Sequence, residues 1–147
     1  MRGLRALAAL VAALPWVAAS SLAPSWFREG VGVTFLPLCH HWVGRVLVVG
    51  GAPMCVCSRC AGVYAGLAAG FALSAPLATG TYRRLLAVAV ALAAVDVVTQ
   101  DLGVHAPWHP ARLATGALLG WTMAAWMVRE TLRARWSPRS PASPRCG

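Results

Sequence analysis

Four apolar runs, three of them close to the roughly 20 residues that a helix needs to cross a bilayer, divide this chain. The first extends from Leu4 to Ala23, broken by Arg5 and two serines; the others cover about Ala61–Thr79, Leu85–Thr99 and Ala111–Val128, the third being the shortest. Gly80-Thr81-Tyr82-Arg83-Arg84 reads as a tight turn, and Gln100 to Pro110, with Gly103, Pro107 and Pro110, as a loop. From Ser137 onward Pro, Ser and Arg dominate, which predicts a disordered tail. The first run follows a basic start and suits either a transmembrane helix or a signal sequence; its length favours a retained helix. The expected fold is all-α: a small polytopic membrane protein with four transmembrane helices. Its parts are a first helix or signal sequence (1–24), an extracytoplasmic loop packed on the helix ends (25–60), a three-helix core (61–128) and a disordered basic cytoplasmic tail (129–147).

Composition supports a membrane protein, since 59% of the 147 residues are apolar and only 12% charged. The net charge of +9 comes from thirteen arginines without a lysine. They gather at the ends of the apolar runs: Arg2 and Arg5, Arg83 and Arg84, then Arg129, Arg133, Arg135, Arg139 and Arg145. This is topological charge rather than a nucleic-acid surface, and no nucleic-acid partner is expected. By the positive-inside rule these regions, the carboxyl terminus included, face the cytoplasm, which predicts a multi-pass protein of the bacterial inner membrane. Pro24–Cys60 and Gln100–Pro110 then share the outer face. The partner expected first is the lipid bilayer, with a homo-oligomer or a membrane-protein partner after it.

Gly62, Gly66 and Gly70 recur every four residues, and Gly116 and Gly120 repeat the spacing. Small residues one turn apart let helix backbones approach closely, so the second and fourth runs are expected to pack together.

The outer face carries the candidate chemistry. Cys57-Ser58-Arg59-Cys60 has the two-residue gap that turns both sulfurs toward one metal or toward each other. Cys39 with His40 or His41 completes a tetrahedral set, and Cys55 is a further thiol. An oxidising compartment favours disulfides instead, and Arg59 beside the pair can lower a thiol pKa. Asp96, Gln100, Arg112 and Thr115 form a second polar group near the membrane boundary, with an Asp96–Arg112 ion pair beneath the cysteine loop as the concrete expectation. His105 and His109 are accessory candidates, separated by a proline that breaks regular helix between them. Most of the seven tryptophans lie near the ends of apolar runs, as in an aromatic belt.

Cys39-His40, Arg45, Gly50, Pro53 and the run Cys57-Ser58-Arg59-Cys60-Ala61-Gly62-Val63-Tyr64-Ala65-Gly66 resemble the uncharacterised bacterial membrane family named domain of unknown function 2085. Asp96, Gln100, Gly103, Arg112, Thr115, Gly116 and Gly120 fall where that family carries its later signature. The resemblance covers about residues 36 to 128; His109 stands where the family has Asn, and Cys55 is additional. It implies that these positions matter and carries no activity with it. The site expected from the residues is therefore a metal centre for zinc or copper with Cys39, Cys57 and Cys60 as thiolates, His40 as fourth ligand and His41 in reserve. Four filled positions suit a structural or sensing role. The alternatives are a membrane thiol-disulfide oxidoreductase using Cys57 and Cys60, and a small transporter or accessory subunit of a membrane complex.

Overall fold

The computed structural model describes residues 2–20, 22–35, 39, 43–73, 78–104, 106 and 108–136. Among the described residues five α-helices and one hairpin follow in order: α1 (Arg2–Ala19), α2 (Ser25–Phe35), a 3-10 turn (Val43–Arg45), β1 (Val46–Val49), β2 (Ala52–Cys57), α3 (Ser58–Leu73), α4 (Thr79–Asp101) and α5 (His109–Trp136).

The fold differs from four membrane-crossing helices. Among the described residues no helix is long and apolar enough to cross a membrane. The reason lies in where helix and charge fall. The sixteen residues of α3 rise only about 24 Å, short of a hydrocarbon core of about 30 Å. Helix α4 is longer but holds Arg83, Arg84, Asp96 and Asp101 within it, and α5 holds Arg112 together with Arg129, Glu130 and Arg133. Gly80 to Arg84, expected as a turn, forms the first turns of α4, and the segment expected as a loop contains α2 and the hairpin.

The glycine spacing does what it predicts. A Cβ on Gly62 or Gly66 would overlap the backbone carbonyl of Leu113 or Ala117 on α5, and one on Gly116 or Gly120 that of Arg59 or Val63 on α3. The two helices thus meet backbone to backbone, and theirs is the most extensive pairing in the fold. Helix α1 packs on α3 and on β2, with the Trp16 indole N–H donating to the Ala61 carbonyl at 2.9 Å. Helix α4 packs on α5. It ends in a Schellman cap, where Val104 N–H bonds the Thr99 carbonyl at 2.9 Å, Gly103 N–H bonds the Gln100 carbonyl at 3.0 Å, and Gly103 takes φ +71°.

The hairpin turns on Gly50 and Gly51, both at positive φ (57° and 82°), as a two-residue turn between Val49 and Ala52 requires. Met54 and Val56 of β2 enter a core with Ala18, Ala19, Val31, Phe35, Cys39 and Ala61. This core includes Cys39, and Cys55, Cys57 and Cys60 pack against it. At the other end of the helices Arg5 Nε donates to the Phe71 carbonyl at 3.0 Å, and Arg129 and Arg133 both reach the Thr79 hydroxyl. Exposed Arg83 and Arg84 lie one turn from Thr79, so an arginine-rich end stands opposite the cysteine end.

Candidate metal centre

Three separate parts of the chain deliver the cysteines. Cys39 follows α2 and is buried, Cys57 ends β2, and Cys60 lies in the first turn of α3. Because the strand runs into the helix without a linker, Cys57 and Cys60 are held by two regular elements at once. Their sulfurs and that of Cys39 all lie within 4.8 Å of one another. Three thiols at that separation can hold a metal ion. All four described cysteines are free.

The electrostatics favour at least one thiolate. Cys57 is drawn down to about 4, first because the Cys60 thiol hydrogen-bonds to its sulfur, with further help from the Cys60 backbone and the Cys39 side chain. Cys60, as the donor, is pushed far up, and burial adds to the shift. Cys39 is also raised, chiefly by burial, although Cys57 N–H donates to its sulfur at 3.1 Å. A backbone N–H aimed at sulfur is the outer support that thiolate sites use. Phe35 packs edge-on to Tyr64, ring centroids 4.8 Å apart, closing the apolar side of the cluster.

A charged layer underlies the cysteines. Arg59, between the paired cysteines, forms an ion pair with Asp96 of α4. The same carboxylate oxygen lies 3.6 Å from Arg112 Nε of α5. Arg112 is 2% exposed, and burial with the neighbouring Arg59 charge pulls its pKa below the ordinary value. A weaker pair, Arg45–Asp101 at 3.5 Å, joins the start of the hairpin to the end of α4.

Of the residues singled out by sequence, the structure brings together Cys39, Cys57 and Cys60 in one group, and Asp96, Arg112 and Arg59 in another. Thr115 stays apart, donating to the Arg112 carbonyl of its own helix at 3.2 Å. Gln100 Nε2 and His109 Nδ1 are buried without a hydrogen-bond partner among the described residues. Cys55 lines a separate groove with Arg28 and Glu29. His40, His41 and His105 lie outside the described residues, as does the tail from residue 137. Arg59 is the residue whose role sequence reasoning missed; its signal was a cation held between two cysteines, on the same chain as an acid in an apolar run.

A family model described as "Predicted membrane protein (DUF2085)" matches residues 39–126, from the first cysteine of the cluster to α5. An uncharacterised protein of Methanocaldococcus jannaschii, MJ1492, is 27% identical over 96 residues, covering 62% of this chain and 62% of that protein. The match thus spans less than two thirds of the relative's length, and since the relative is archaeal the likeness reaches beyond bacteria. No solved structure matches. The family's description supports membrane association.

Proposed function

This chain belongs to the DUF2085 family of predicted membrane proteins, and on that premise we propose that its cysteine end binds one zinc or copper(I) ion in a structural or sensing role. The observation that carries this reading is the convergence of Cys39, Cys57 and Cys60 within 4.8 Å. Thiolate donors select soft or borderline metals over magnesium or calcium. His40, next to Cys39, is the proposed fourth ligand. A bound ion would tie the segment after α2 to the junction of β2 and α3, adding its binding energy to the stability of that end. The exposed apolar side chains of α1 (Leu4, Leu7, Leu10) and α4 (Val88, Val90, Val95) suit contact with lipid.

Elemental analysis of detergent-purified protein with a thiol count tests the reading. About one equivalent of zinc or copper, lost in Cys57→Ser and in Cys60→Ser, is expected. A folded protein with no metal and fully reactive cysteines would contradict it.

A second reading rests on a specific observation: Cys57 immediately precedes α3 and is the acidic partner of a two-residue-gap pair. That arrangement suits thiol-disulfide exchange, with Cys57 as attacking thiolate and Cys60 as the resolving thiol. It predicts a mobility shift after alkylation that depends on the redox buffer and vanishes in Cys60→Ser. A thiol state that ignores the redox buffer while metal stays bound favours the metal centre.

A further inference from the structure

The end of the helices opposite the cysteines gathers cations around an apolar pocket. Arg129 and Arg133 of α5 both donate to the Thr79 hydroxyl, the second at 3.2 Å, so two guanidinium groups converge on one neutral oxygen. Exposed Arg83 and Arg84 stand one turn further along α4. The chain has four acidic side chains, Glu29, Asp96, Asp101 and Glu130. Asp96 and Asp101 are paired at the cysteine end and Glu29 lines the groove beside Cys55, which leaves Glu130 alone to balance the arginines here. It lies 3.6 Å from Arg133. Arg129 keeps Nη1 buried without a hydrogen-bond partner among the described residues, and its guanidinium carbon sits 5.8 Å from the centre of the Tyr82 ring. Like charges brought together at the amino end of a helix, where the dipole is also positive, repel unless an anion joins them.

A pocket of about 270 Å³ lies at the same place, lined by Thr79, Tyr82, Arg83 and Leu86 of α4 and by Thr122 and Trp126 of α5. The spacing explains the set, since each group falls three or four residues apart and so shares one face of its helix. Arg129 and Arg133 continue the α5 face one and two turns beyond Trp126. Thr79 belongs to both groups: it lines the pocket, and its hydroxyl receives both guanidinium groups. The Thr122 hydroxyl donates to the carbonyls of Leu118 and Leu119, both at 2.9 Å, so its proton is committed to its own helix. Tyr82, Leu86 and Trp126 make the rest of the wall apolar, with Arg83 as its one charged member. We propose that this pocket binds one anionic phospholipid, its phosphate held by Arg83, Arg129 and Arg133 and part of an acyl chain lying against Tyr82, Leu86 and Trp126. Guanidinium forks suit phosphate oxygens, and aromatic rings with one polar edge suit the boundary between headgroup and chain. The inference is independent of the metal reading, since none of these residues is a proposed ligand.

Calorimetric titration of the full-length protein in a non-ionic detergent tests it with three probes: a short-chain phosphatidylglycerol, the phosphatidylcholine of the same chain length, and inorganic phosphate. Phosphatidylglycerol is expected to bind near one to one. The other two are expected to bind about tenfold more weakly or worse, phosphatidylcholine because its own cation meets the arginines and inorganic phosphate because it leaves the apolar wall uncovered. Arg129→Gln is expected to weaken phosphatidylglycerol binding about tenfold or more, the scale of a hydrogen bond to a charged group. Because Arg129 also packs on Tyr82, two exposed neighbours keep the test independent of folding. Arg83→Gln, in the pocket wall, is expected to lose affinity several-fold, and Arg84→Gln, which removes the same charge outside the lining, to lose less than about twofold. Equal losses in those two variants would reduce the site to diffuse charge attraction and overturn the proposal. Phosphatidylcholine or inorganic phosphate binding as tightly as phosphatidylglycerol, or no binding of phosphatidylglycerol by the folded protein, would overturn it as well.

Discussion

Helices α3 and α5 are joined by absence of side chains, whereas α4 is joined to the cysteine end by side-chain charge. In the first interface glycines let backbone touch backbone, and no rotamer change can relieve an added atom. In the second, Arg59–Asp96–Arg112 and Arg45–Asp101 reach from α3, α5 and the hairpin to α4, most of whose large apolar side chains face outward. The difference separates what positions the cysteines from what links them to α4. Cys60 rides on the rigid seam, and Cys57 is one residue ahead of it. Arg59 lies between them and is the contact through which a change at the sulfurs would reach α4.

The largest effect is expected at the seam. Gly66→Ala would place a methyl group on the Ala117 carbonyl, and destabilisation of about 3 kcal/mol or more is expected in thermal or denaturant unfolding. Gly80→Ala in α4, where a Cβ meets nothing within 4 Å, is the control and is expected to be neutral or stabilising by about 0.5–1 kcal/mol. Equal losses in both would erase the contrast between the helices.

Next comes the charged layer. Asp96→Ala leaves Arg59 and the buried Arg112 without their shared partner, and a loss of about 3 kcal/mol is expected from the same unfolding measurement. If α4 is tied mainly by this carboxylate, hydrogen exchange in α4 should rise in Asp96→Ala while α3 stays protected.

A smaller effect separates the cysteines themselves. In metal-free protein Cys57 should alkylate at a nearly constant rate from pH 8 down to about pH 5 and slow as pH falls through its value of about 4. An ordinary thiol with a pKa near 8.5 loses about tenfold in rate per pH unit over that range. The sign follows from a depressed pKa: the reactive thiolate persists until the solution is acidic enough to protonate it. Cys39 and Cys60, both raised, should react slowly at neutral pH. The smallest change is expected for Arg45→Ala, whose exposed pair with Asp101 is worth less than about 1 kcal/mol.

Some of this was legible in the sequence, for identifiable reasons. Glycines four residues apart announce one face of one helix, so the α3–α5 seam could be expected without coordinates. Asp96 and Arg112 could be paired because each is a costly charge in an apolar run. The cysteine triad could be assembled as well, since Cys57 and Cys60 share a two-residue gap and Cys39 stands in the same predicted region. The transmembrane count failed because run length was weighed above charge and helix length: α4 carries Arg83, Arg84, Asp96 and Asp101, α5 carries Arg112 near its start and Arg129 beyond the apolar stretch, and α3 stops at sixteen residues. The hairpin was missed although Gly50-Gly51 between apolar strands is a turn signal, because Val46–Val49 is only four residues long. Arg59 was hidden by its neighbours, since a residue between two cysteines draws notice for its effect on sulfur, not for a partner 37 positions away.

X-ray absorption at the zinc and copper edges on purified full-length protein tests the central claim most directly. Three sulfur scatterers at about 2.3 Å from one bound ion are expected, falling to two in Cys39→Ser. A spectrum with only nitrogen and oxygen around the ion, or an unchanged sulfur count in Cys39→Ser, would contradict the three-thiolate centre.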